Sequence, residues 1–176
     1  MCRVLHRSGL SLFKPAERFS WGNFPELIVQ LEAAVNAFAA FVDVEKRWQI
    51  YWAAGVGPMS SSEAELSVET RVLSILLSLV ESKLGLIAAK GCISFASSAG
   101  AIYAGATDDI ISENTPVAPT TAYAHEKLRQ ENLVSTFALT NQGLTALLAR
   151  ISTLYGTVHT TGKQQGLLYQ IARSIV

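Results

Sequence analysis

Three short segments of this chain, WQIYWAA (48–54), GCISFASS (91–98) and LTALLARIS (144–152), run apolar instead of alternating, and stretches of helical period separate them. A strand without a polar side has to be covered on both faces, a condition met by parallel sheets lying between layers of helices. The expected fold class is therefore α/β, a doubly wound parallel sheet. Composition agrees: 49% of the 176 residues are hydrophobic and 16% are charged, against roughly 25% charged in an average domain. Disorder is excluded.

Charge and cysteine content remove further classes. With 14 Lys+Arg against 14 Asp+Glu the chain has no field to gather a phosphate backbone or an anionic bilayer, so neither nucleic acid nor membrane is an expected partner. Cys2 and Cys92 form no metal-spacing motif and no disulfide framework, which fits a reducing compartment, with the cytoplasm the expected location. The opening MCRVLHRSGLSLFKPAERF breaks its apolar stretches with Arg, His and Lys, so no secretory signal is expected. The apolar window 84–106 is long enough for a membrane span but holds Lys90 and several glycines and serines, and reads as a buried strand with flanking loops.

Residues 3–7 (RVLHR) could form a short strand. Asn23 and Pro25 then start a helix whose apolar positions Leu27, Ile28, Leu31, Val35, Phe38, Ala39 and Val42 share one side, ending near Asp43. The strand at 48–54 stops at Gly55-Val-Gly57-Pro58. Ser60 to Ser62 cap a second helix with Glu63 and Glu65 in its first turn and Leu66, Val72, Leu73, Leu76, Leu77 and Val80 as its core face. Gly85 or Gly91 closes that unit. The strand at 91–98 runs into a Gly/Ala/Ser loop, 107–119 is a polar loop, and a third helix is expected from Thr120 to Asn141. After the strand at 144–152 come a loop at 156–166 and the start of a last helix.

In Tyr123-Ala-His-Glu-Lys127 the phenol and the ammonium lie four residues apart, on one face of a helix. Alone, such a pair is as well explained by a solvated surface. The segment Phe95-Ala-Ser97-Ser98-Ala99-Gly100-Ala101-Ile102-Tyr103 raises its weight, because it places hydroxyls at the C-terminal end of a strand, where open α/β sheets bind ligands. Taken together, SSAGAIYAG, a polar loop with E-x-T-P (113–116), P-x-x-x-Y-x-x-x-K (119–127) and RISTLYG (150–156) resemble the extended short-chain dehydrogenase/reductase superfamily. Within it, the chain looks most like the NAD-dependent epimerase/dehydratase family acting on nucleotide sugars. The resemblance covers most of residues 48–176.

The resemblance implies NAD as cofactor, with NADP possible if His6-Arg7-Ser8 meets a 2′-phosphate. It implies Tyr123 as general acid/base and Lys127 as the group that holds the nicotinamide ribose and depresses the tyrosine pKa. Ser98 would hydrogen-bond the reacting oxygen, with Ser97 the adjacent candidate and a cofactor contact. Ala53, Ala54, Gly55 and Ile151 would line the cofactor, and Ala99, Gly100 and Thr153 would approach the sugar nucleotide.

Departures accompany these matches. No G-x-x-G-x-x-G turn precedes Arg3, and Gly55-Val-Gly57-Pro-Met-Ser60 is read as a plain strand-to-helix turn because its third position is Ser. Thr153 stands where relatives commonly have Asn, and Glu69 lies near another position at which many have Asn. His125 is expected to face solvent and His159 has no partner at ligand spacing, so no metal site is expected. The absence of G-x-S-x-G argues against a serine hydrolase.

The chain therefore reads as the middle of a larger Rossmann-like domain, lacking the first strand, the glycine-rich turn and most of a C-terminal substrate lobe. Exposed apolar surface and weakened dinucleotide binding are expected. The implied activity is that of an NAD(P)-dependent nucleotide-sugar epimerase or dehydratase, with a homodimer forming through the helices around Val68–Val80 and Thr120–Asn141. Two other readings stay open at this point: an NADPH-dependent reductase of a small carbonyl compound, and a catalytically silent interaction module.

Overall fold

The structure, a computed structural model, describes residues 9–43, 47–55 and 61–152. The expected strand at 3–7, the turn at 56–60, the loop at 156–166, the last helix, His6-Arg7-Ser8, Thr153 and His159 lie outside the described residues. Within them the order is α1 (Phe24–Phe41), β1 (Trp48–Trp52), α2 (Glu63–Glu81), α3 (Leu84–Ala88), β2 (Gly91–Ser98), α4 (Ala99–Ile102), α5 (Ala122–Thr140) and β3 (Leu144–Ile151). The strands form one parallel sheet, β1-β2-β3, with Trp48, Gly91 and Leu144 in register at one end. This is an incomplete Rossmann-like arrangement, the fold class expected.

Local chemistry sets the helix starts. Asn23 accepts from the Glu26 amide at 3.4 Å, and Thr121 from the Ala124 amide at 3.2 Å. Ser62 and Glu65 form a reciprocal capping box. Gly143, at φ 87°, takes the left-handed conformation that turns the chain out of α5 into β3.

One core joins the long helices to one face of the sheet. Leu27, Leu31 and Val35 of α1, Val72, Leu73, Leu76, Leu77 and Val80 of α2, and Val134 and Phe137 of α5 pack with Trp48, Trp52, Ile93, Phe95 and Leu144. Strand alternation sends every second side chain the other way, where Tyr51 donates to Gln49 Oε1 (2.7 Å) and Gln49 donates to Ser94 Oγ (2.6 Å). The sequence expectation of an evenly buried β1 is corrected here: Gln49 is exposed, and the strand stops at Trp52, leaving Ala53 in solvent. Among the described residues β1 is a sheet edge, hydrogen-bonded to β2 alone. The window 84–106 is divided among α3, β2 and α4.

Trp48 ties two elements together. Its indole N–H donates to the Leu86 carbonyl at 2.9 Å, and its ring lies against Gly91, where an added Cβ would come within 2.2 Å. Gly91→Ala is therefore expected to displace the indole and break that hydrogen bond, at about 1–3 kcal/mol. Urea unfolding followed by tryptophan fluorescence measures it, and an unchanged midpoint would refute the close packing.

Candidate active site

Parallel strands bring their C-terminal ends to one edge of the sheet, and the sequence-derived site residues collect there. Ala53, Ala54 and Gly55 follow β1, Ser97 and Ser98 end β2, and Ile151 ends β3. Helix α5 crosses beside β2 and carries Tyr123 and Lys127 in its first two turns.

Lys127 is 7% exposed. Its ammonium lies 5.0 Å from the centre of the Phe95 ring and 5.6 Å from that of Tyr123, and it donates to Gln130 Oε1 at 3.2 Å. The aromatic faces and the amide oxygen replace part of the hydration lost on burial. Burial still pushes the ammonium below the ordinary lysine range, and the Glu69 carboxylate opposes that shift.

Tyr123 is half-buried. Burial raises its phenol above the ordinary tyrosine value, and the negative charge of Glu69 raises it further. The expected depression by Lys127 is therefore corrected for the protein alone: the phenol is harder to ionise than a free one, because desolvation and a nearby carboxylate both disfavour a second negative charge.

Glu69 reaches this site from α2. It is 4% exposed, and its carboxylate lies against Gly55, where an added Cβ would come within 2.9 Å. A side chain at residue 55 would thus meet the acid that acts on both Tyr123 and Lys127.

The two serines differ. Ser97 Oγ is buried and has no hydrogen-bond partner among the described residues. By strand alternation it points to the face that carries Phe95 and α5. Ser98 is half-buried at the junction with α4 and makes no capping hydrogen bond to that helix. The segment after it, expected as a loop, is instead the helical turn Ala99–Ile102. Gly100 is exposed with open space where a Cβ would lie. His125 is exposed, and no group of metal-ligating side chains occurs among the described residues.

Sequence reasoning missed what holds the far side of the site. Arg150, near the end of β3, donates to both carboxylate oxygens of Glu131 (2.7 to 3.2 Å) and to the Tyr103 hydroxyl. Glu131 is 3% exposed and Tyr103 is 9%. The clamp joins β3, α5 and the turn after α4, and hydrogen bonding to Glu131 strengthens the hold of the guanidinium on its proton. The signal was present in RISTLYG and in an acid four residues beyond Lys127, but neither residue reveals its partner from sequence alone.

Solved structures share this fold. The chain is similar in fold to RMD from Pseudomonas aeruginosa, solved with NADPH, at 20% identity and TM-score 0.64 over 85% of this chain and 46% of that one. UDP-glucose 4-epimerase from Bifidobacterium longum, solved with NAD+ and UDP, gives 22% identity and TM-score 0.58 over 84% and 40%. The UDP-Glc/GlcNAc 4-epimerase from Campylobacter jejuni gives 17% and 0.59 over 97% and 48%. The chain thus spans less than half the length of these structures. No curated protein sequence matches it. The family model of the NAD dependent epimerase/dehydratase family matches residues 33–176, and the chain belongs to that family.

Proposed function

We propose that this chain carries the hydroxyl-oxidising centre of a nicotinamide-dependent nucleotide-sugar epimerase or dehydratase. The observation that carries the reading is the buried Lys127 ammonium, 5.0 Å from the Phe95 ring and 5.6 Å from the Tyr123 ring, with the buried Ser97 hydroxyl, which has no partner among the described residues, two positions beyond Phe95 on the same strand. That donor set fits the ribose end of a nicotinamide nucleotide: Lys127 offers an ammonium to ribose hydroxyls, Ser97 offers a free hydroxyl, and Ala53 to Gly55 present backbone with little side-chain bulk.

A bound nicotinamide would supply the hydride acceptor for this oxidation. Tyr123 takes the proton of the hydroxyl on the sugar carbon that loses the hydride, so the alcohol becomes a ketone. Ser98 hydrogen-bonds the reacting oxygen and holds it toward the phenol. The positive charge of Lys127 acts against the burial and the Glu69 carboxylate, which on balance hold the phenol in its protonated form in the protein alone. The reverse proton delivery by Tyr123 restores a hydroxyl in an epimerase, whereas a dehydratase eliminates water first.

Support comes from the family match and from solved relatives described with NAD, NADPH, UDP or UDP-glucose. The test is fluorescence titration of the purified chain with NADH. Saturable binding is expected, weakened about tenfold or more in Lys127→Met, the scale of one lost charge-assisted hydrogen bond. Saturable binding that Lys127→Met leaves unchanged would remove Lys127 from the cofactor site, and no binding by the unaltered chain would overturn the reading.

A further inference from the structure

Helix α5 buries an unusual run of polar side chains: Glu126 (2% exposed), Lys127 (7%), Gln130 (2%) and Glu131 (3%). Glu131 belongs to the Arg150 clamp. The other three are linked through Thr70 of α2 by hydrogen bonds that all run in one direction. Lys127 Nζ donates to Gln130 Oε1 (3.2 Å), Gln130 Nε2 donates to Thr70 Oγ1 (3.0 Å), and the Thr70 hydroxyl donates to Glu126 Oε2 (2.6 Å). The other carboxylate oxygen of Glu126 accepts from Arg129 at 2.6 Å, and Arg129 is exposed.

The direction is fixed by chemistry. An ammonium can only donate, so the Gln130 oxygen has to face Lys127 and its NH2 has to face Thr70. Thr70, having accepted, is left with its proton for the Glu126 carboxylate, 2.6 Å away. Gln130 and Thr70 each accept one bond and donate one, so the amide of Gln130 cannot rotate without breaking two bonds.

We propose that Gln130 and Thr70 are positioning residues for Lys127, forming with Glu126 a braced chain that holds the ammonium at the Phe95 and Tyr123 rings and anchors it to the α2–α5 contact. The catalytic importance of this brace rests on the proposed function; its existence does not. Removing the Thr70 hydroxyl leaves the Gln130 amide unanchored, frees its oxygen from Lys127 and makes the buried ammonium easier to deprotonate. Thr70→Ser keeps the hydroxyl and the brace.

The experiment is competitive acetylation with trace acetic anhydride across a pH series, with the Lys127 peptide quantified by mass spectrometry against surface lysines. Only the neutral amine reacts, so reactivity at fixed pH reports how firmly the proton is held. Thr70→Val is expected to raise Lys127 acetylation at neutral pH by about two- to tenfold, the fold-change of one net hydrogen bond, and to move its titration to lower pH, while Thr70→Ser stays at the unaltered level. Thr70→Ala repeats the loss without the bulk of Val should packing suffer, with circular dichroism checking that each variant is folded. The ionisable neighbours Glu69 on α2, Tyr123, Glu126 and Glu131 on α5 and Arg150 on β3 are retained in all three variants. Equal labelling of Lys127 in Thr70→Val and the unaltered chain overturns the proposal, as does a Thr70→Ser variant that behaves like Thr70→Val. The labelling needs no turnover, so it decides on the brace even if NADH titration fails.

Discussion

In the proposed reaction, Tyr123→Phe is expected to lower turnover by about 10²–10⁴-fold, the usual contribution of a positioned general acid/base, while NADH affinity changes little. The substitution deletes one oxygen and keeps the ring that lies 5.6 Å from the Lys127 ammonium, so packing around the cation survives. A kcat effect without a Kd effect separates proton transfer from binding. The pH profile carries a second signature. Burial first and Glu69 second raise the Tyr123 phenol, so a reaction that needs phenolate gains rate as pH climbs toward that raised value. Glu69→Gln removes the smaller of the two causes and is expected to move the rise to lower pH. Steady-state assays with a UDP-hexose across a pH series measure both effects; turnover unchanged by Tyr123→Phe would take this phenol out of the chemistry.

Arg150→Met is expected to destabilise the fold by about 3 kcal/mol, the scale of stranding one member of a buried ion pair. Arg150 keeps about a quarter of its side chain exposed (26%), whereas that of Glu131 is 4% exposed, so the acid is the member left without compensation. The Tyr103 hydroxyl loses its donor at the same time. The cost is asymmetric, which supplies an internal control. Adding Glu131→Leu to Arg150→Met removes the stranded charge and is expected to return most of the stability, because a buried ion pair replaced by apolar groups is often close to neutral. Urea unfolding of the single and double variants tests this. A single variant that loses under about 1 kcal/mol would show the pair to be a surface-like contact.

What the sequence disclosed and what it hid divide by range. The caps at Asn23, Ser62 and Thr121 are contacts within three residues, so helix starts were legible. The strands at 91–98 and 144–152 were legible because apolar runs of that length have few alternatives in a parallel sheet. Helix α3, five residues long, and α4, four, are too short to establish a period, and Ala-Gly-Ala-Ile reads as loop by composition. The Tyr123–Lys127 pair was visible as a motif. Its environment was not: Thr70 lies 56 residues from Glu126 and 60 from Gln130 in sequence, and Arg150 lies 19 from Glu131. A helix carrying Glu126, Lys127, Gln130 and Glu131 looks solvated until those distant partners are placed.

Helix α5 has a consequence for how this chain can change over generations. It carries the Tyr123 and Lys127 side chains, the brace at Gln130 and the clamp at Glu131 within nine residues of one rod, so their angular phase is common property. Gaining or losing a single residue between 127 and 131 would rotate everything beyond it by about 100°, pulling Glu131 away from Arg150 while Lys127 stayed in place. Substitutions along α5 can be absorbed one at a time, but its length in this stretch is locked, and divergence among relatives should accumulate there as exchanges of side chains and never as insertions or deletions.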